Sequence, residues 1–116
     1  MKQRLSILAA LCSSLAVAAV TIPSASAADM IGNCEVTGAK GSITLTPAKA
    51  GQLTVEVNLP APGFWNGDTP EAIKDGFEYC LAAEIAHRAG LDKVAVVNVA
   101  WDALVAGQTK DFDLAL

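Results

Sequence analysis

Hydrophobic positions change their period along this chain, and each change marks an element. From Gln52 to Val57 they alternate, with Leu53, Val55 and Val57 on one side and Thr54 and Glu56 on the other, the period of a half-buried strand. Ser42 to Thr46 alternates more weakly, setting Ile43 and Leu45 between hydroxyl residues, and Pro47 closes what is expected to be a short edge strand. From about Glu78 to Ala89 the period lengthens to that of a helix. Leu81, Ala82, Ile85, Ala86 and Ala89 share one arc, Cys80, Glu84, His87 and Arg88 the opposite one, and Gly90 stands where a helix stops. Val94 to Val99 is a continuous apolar run with Asn98 near its end, the pattern of a parallel strand covered on both faces. Asp102 can cap a second helix through about Thr109, and Phe112 to Leu116 begins a third strand.

The segments between these elements are of two kinds. Asp29 to Lys40 has little periodicity and reads as a mobile or disulfide-tied arm. Asn58 to Gly67 is a loop rich in proline and glycine around Phe64 and Trp65, and it follows a strand, where open α/β sheets bind ligands. Thr69-Pro70-Glu71 offers a cap, a first-turn proline and an early acid, so one or two helical turns are expected up to Asp75. Strand, helix, strand, helix, strand makes the fold class α/β with a partial doubly wound parallel sheet. The last strand carries no stop signal, so the unit is expected to be part of a larger lobe.

The amino-terminal end changes the compositional picture. Lys2 and Arg4 precede a mostly apolar run from Leu5 to Val20, and Ala25-Ser26-Ala27 has the small-residue cleavage pattern, so residues 1–27 read as an export signal cut after Ala27. Ser6, Ser13 and Ser14 interrupt that run and argue against a membrane anchor. Residues 28–50 are the arm and short strand, and residues 51–116 are the main unit. Lys2 and Arg4 are two of eight basic residues, so residues 28–116 carry six against twelve acidic ones. Nucleic acid and anionic membrane surfaces are poor partners for such a chain. Cys34 and Cys80 remain after cleavage, in a compartment that permits disulfides. A thiol left in the first helical turn would be reactive, so a Cys34–Cys80 bridge is the simpler state.

Chemistry is sparse. His87 is the only histidine and falls on the polar helix arc, where a solvated side chain is expected. Ser42 is the one serine after the leader and has no base near it in sequence, Asp111 and Asp113 alternate across a strand start, and no metal-ligand spacing occurs. No catalytic residue, cofactor or metal is expected.

Five local patterns in order carry a resemblance. They are Leu53-Thr54-Val55, the aromatic loop from Asn58 to Asn66, Gly76-Phe77-Glu78, Trp101-Asp102 and Phe112-Asp113-Leu114. Together they resemble the first lobe of the bacterial extracellular solute-binding proteins of family 3, which deliver polar amino acids to ABC importers. The resemblance implies a periplasmic-binding-protein-like lobe 1, truncated, secreted or periplasmic, with a small polar solute and an ABC transporter permease as partners. It assigns Asn58, Phe64, Trp65 and Trp101 as ligand contacts. Cys80 departs from the pattern, taking the place of an acid, and the segment after Trp101 is about one residue shorter. Two other readings stay open: a stand-alone secreted interaction domain, and a dehydratase-type enzyme on the same scaffold.

Overall fold

A five-residue strand with every residue buried, β3 (Leu53–Val57), forms the centre of a computed structural model that describes residues 27–116. The leader expected over residues 1–27 therefore lies, apart from Ala27, outside the described residues. Two further strands pair with β3 in parallel, β4 (Val94–Asn98) on one side and β5 (Leu114–Ala115) on the other. The strand order is β4-β3-β5. Chain order and spatial order thus disagree: the path leaves β3 in one direction and returns across it to the other. Right-handed crossovers then set α1 (Phe77–Arg88) and α2 (Trp101–Val105) on opposite faces. Paired residues of a parallel sheet share a face, so Leu53, Val55, Val57, Val94, Val96 and Leu114 look toward α1, and Thr54 and Glu56 look toward α2.

The expected arm is ordered and contains strands. β1 (Asp29–Ile31) and β2 (Cys34–Val36) form an antiparallel hairpin across Gly32-Asn33. Gly32 has φ +62°, the left-handed value that the first position of a tight hairpin turn requires, and an added Cβ would meet Lys74 O at 2.5 Å. The hairpin packs on α1 from the side away from the sheet. Cys34 and Cys80 are joined by a disulfide, Cα atoms 5.3 Å apart. Thr37 N–H and Oγ1 donate to the Glu84 carboxylate, which also accepts from Arg88 Nε at 2.6 Å. Those bonds hold the Glu84 carboxyl below its usual range, the Thr37 amide being the main cause.

That second cover corrects the helix faces read from the sequence. Tyr79, Ala82, Ala83, Ala86 and His87 are buried, whereas Leu81 is exposed. His87 is only 3 % exposed, its Nε2 3.2 Å from Gly38 O and its Nδ1 4.0 Å from Asp29 Oδ2. A single apolar arc suits a helix lying on one surface, but α1 lies between two. Its end is as expected, because Gly90 adopts φ +78° and the Gly90 and Leu91 amides bond back to His87 O and Ala86 O. The arm completes this cap, Gly41 N–H and Ile43 N–H donating to His87 O and Arg88 O.

Five more expectations are corrected. Ser42–Thr46 is not a strand, because it crosses the end of α1 and spends its backbone bond there. Residues 69–75 make only a turn closed by Ala72 N–H to Thr69, since Ile73 is drawn into the core and Asn66 bridges Asp75. Asp102 lies inside α2 without capping it: the cap is Ala100, and the helix ends at Val105. β4 is an edge strand, buried only at Val94 and exposed by Val97 and Asn98. Asp113, read as a strand-start charge, is a clamp whose carboxylate accepts from Ala48 N–H and Thr54 N–H, both at 2.7 Å.

Glu56 stands apart from this well-bonded frame. It is 4 % exposed on the central strand, and its Oε2 has no hydrogen-bond partner among the described residues. A buried carboxylate without a donor is costly, so Glu56→Leu is expected to raise the unfolding free energy by about 1–3 kcal/mol. Urea unfolding of the two proteins measures the difference, and a destabilised Glu56→Leu would refute it. The disulfide gives a second test. Closing a loop over a separation of 46 residues contributes about 4 kcal/mol in the chain-entropy model, and this should be lost when Cys34→Ser and Cys80→Ser are combined. Alkylation of either thiol in folded, unreduced protein would contradict the bridge.

Candidate functional site

The carboxyl ends of β3, β4 and β5 open on one cavity of about 210 Å³, lined by Asn58, Ala61, Phe64, Trp65, Glu78, Trp101 and Leu116. Asn58 follows β3, Trp101 follows β4 by way of Val99 and Ala100, and Leu116 follows β5. The four residues assigned by resemblance thus line a single space, located where the strand order reverses. Open α/β sheets bind ligands at that kind of position.

The aromatic loop is held there by the start of α1. Phe77 N–H donates to Gly63 O, and the Glu78 and Tyr79 amides both point at Phe64 O, so the free donors of the first helical turn are taken by loop carbonyls. Such an approach needs a residue without a side chain. Gly76 supplies it at φ +120°, and an added Cβ would lie 2.2 Å from Phe64 O. On the other flank, Asn66 Nδ2 and Asn33 Nδ2 donate to the two oxygens of Asp75, at 2.8 and 3.1 Å. Asp75 thereby joins the aromatic loop, the hairpin turn and the approach to α1, and the Asn66 bond, followed by that of Asn33, holds its carboxyl below the usual value.

Each lining residue brings different chemistry. Trp65 is 2 % exposed, packs edge-on against Tyr79 with ring centroids 6.2 Å apart, and donates Nε1–H to Glu78 Oε2. It is a wall of the cavity and a core residue together, its polar atom already committed. Burial also pushes the Tyr79 phenol up. Phe64 and Trp101 are open, 50 % and 59 % exposed, and offer free ring faces. Asn58 donates Nδ2–H to Val99 O, while Asn98 Oδ1 accepts from Leu59 N–H, so the two asparagines tie the ends of β3 and β4. Glu78 and Phe77 were not singled out from the sequence. Glu78 adds a carboxylate to the cavity wall, and Phe77, 71 % exposed, meets Phe64 edge-on at 6.4 Å. Both stand in Gly76-Phe77-Glu78, one of the patterns that carry the resemblance, which assigns neither of them a ligand contact.

Ring faces beside a carboxylate suit a small ligand carrying an ammonium group, through cation–π contact and charge. His87 is buried beneath the hairpin and does not line the cavity, and among the described residues no three His, Cys, Asp or Glu side chains could hold a metal ion. No helix of the described residues is long and apolar enough to cross a membrane. No protein-family model, curated protein or solved structure matches the chain.

Acid tests the Asp75 tie. A carboxyl depressed below 3.8 contributes stability that is present above the unfolded value and lost as the pH falls through the folded one. Asp75→Asn should therefore lower the thermal midpoint at neutral pH, and the gap to the unaltered protein should close below about pH 4. Melting curves across pH check this, and a gap that stays constant would exclude the carboxylate as its source.

Proposed function

We propose that the chain is the solute-binding component of an ABC importer, secreted or periplasmic, and not an enzyme. Residues 51–116 form part of its first lobe, a periplasmic-binding-protein-like unit with a doubly wound sheet. The observation that carries this reading is the convergence of Asn58, Phe64, Trp65 and Trp101 on one cavity at the reversal of strand order. The disulfide supports export, since such bonds persist in oxidising compartments. The solute is a small polar molecule, an amino acid, with its ammonium directed at the Glu78 carboxylate and the open ring faces.

In this reading the present residues form one wall of a cleft and a second lobe forms the other. A one-walled cleft leaves much of a small solute in water. Its ring contacts, about 0.5 to 2 kcal/mol each, oppose association costs of at least similar size. Binding of amino acids to the chain is therefore expected at millimolar strength or weaker.

Titration followed by NMR tests the proposal. The Trp101 indole and Phe64 ring signals should shift with at least one amino acid at tens of millimolar, and Trp101→Ala should weaken that binding by about 1 kcal/mol, roughly fivefold. Trp65→Ala is the wrong probe because it opens the core. Absence of any shift at these two rings across the standard amino acids would end the reading.

A further inference from the structure

We propose that the outer edge of β4 receives an extended, acidic polypeptide segment as a fourth strand. The ladder fixes which backbone groups are available. Leu53 N–H donates to Lys93 O and Val99 N–H to Val57 O, with Leu53 in register with Val94 and Val57 with Asn98. Bonding residues alternate along a strand of a parallel pair, so the backbone groups of Lys93, Ala95, Val97 and Val99 face β3. Those of Val94, Val96 and Asn98 face the other way. Among the described residues no strand lies on that side, and no turn or loop bond uses the amides of Val94, Val96 or Asn98.

Edge strands are usually blunted by proline, a bulge or an inward charge, because their free donors and acceptors invite addition. β4 reads Val-Ala-Val-Val-Asn and has none of these. Beside it runs a groove of about 300 Å³, between Pro70, Glu71 and Lys74 on one side and Lys93, Val94 and Val96 on the other. Strand addition takes its affinity from the backbone and its selectivity from such a groove, which receives alternate side chains.

Charge names the occupant. Lys40 and Arg88 are paired with Asp92 and Glu84, but neither Lys74 nor Lys93 has a carboxylate within 4 Å among the described residues. Two unanswered lysines line this groove against one acid, Glu71, on a chain whose residues 28–116 are strongly acidic. Complementary charge selects a segment bearing carboxylates. A second copy adding its own β4 would present no acid and leave the lysines unanswered.

The test is hydrogen exchange on the full, ¹⁵N-labelled chain with synthetic peptides of about six residues, alternating valine with glutamate or valine with lysine. The glutamate peptide should slow exchange at Val94, Val96 and Asn98 about tenfold and leave Ala95 and Val97, already bonded to β3, unchanged. Val96→Pro removes an outward N–H and no bond to β3, so it should fold and lose the protection. Lys74→Glu combined with Lys93→Glu, which leaves the backbone intact, should weaken the glutamate peptide about tenfold and decides the matter if Val96→Pro does not fold. Equal response to both peptides, no protection at millimolar peptide, or protection that grows with protein concentration alone would each overturn the proposal.

Discussion

The arrangement depends on one close approach of backbone to backbone. Gly76 lets the carbonyls of Gly63 and Phe64 come down on the first turn of α1, so that the loop after β3 and the helix that follows satisfy each other. The helix needs partners for its first amides, and the loop needs a reason to hold two aromatic rings in one place. Neither is supplied by side chains. Any residue with a Cβ at Gly76 would separate the two, and Trp65 would lose the position from which it reaches Glu78 and Tyr79. The mouth of the cavity is thus set by the same contact that starts the helix. It also removes a tempting alternative, because a first turn whose amides are already bonded is not open to an anion.

The hairpin supplies the second constraint. A three-stranded sheet with short helices leaves one side of α1 bare, and β1 and β2 cover it through a disulfide, Glu84 and the buried ring of His87. That attachment is both apolar and polar: Ile31, Cys34 and Val36 are buried in the same core as Ala82, Ala83, Ala86 and the leucine and valines of β3, and the bonds to Glu84 and His87 flank them. Leu81 stands on neither covered side and is exposed.

What could be read from the sequence followed the range over which each signal acts. The strand at Leu53 to Val57, the stop at Gly90 and the pairing of two cysteines are local or countable, and they hold in the structure, although β3 is not half-buried as its alternation suggests: Thr54 and Glu56 are covered too. The faces of α1 could not be read, because burial of His87 is decided by a hairpin about 50 residues earlier, in a segment whose two three-residue strands are too short to show a period. The apolar run from Val94 to Val99 does not say whether neighbours exist, so it cannot distinguish a doubly covered strand from the edge strand that β4 is. The cavity residues were legible in part. Strand-end loops converge wherever parallel strands do, so Asn58, Phe64, Trp65 and Trp101 meet, whereas the bond from Trp65 to Glu78 is a matter of three-dimensional reach.

Bonding is uneven across the sheet, and the unevenness has a direction. On the α1 face every buried residue of β3 is apolar and matched by a helix. On the α2 face Thr54 is held by the Asp113 clamp at its amide, but Glu56 is covered only by a helix of five residues that buries none of its own side chains. The edge of β4 is open as well. Exposure therefore collects on the parts reached last by the chain, α2 and β5, and along β4, while the hairpin and α1 are tied by the disulfide and the Glu84 bonds and share one buried core with β3. A site that must admit a ligand is better placed against the loosely covered side than within the closed one, since opening there breaks fewer contacts. Trp101 lies on that side and Trp65 on the other, so the cavity spans the boundary between a rigid wall and a yielding one.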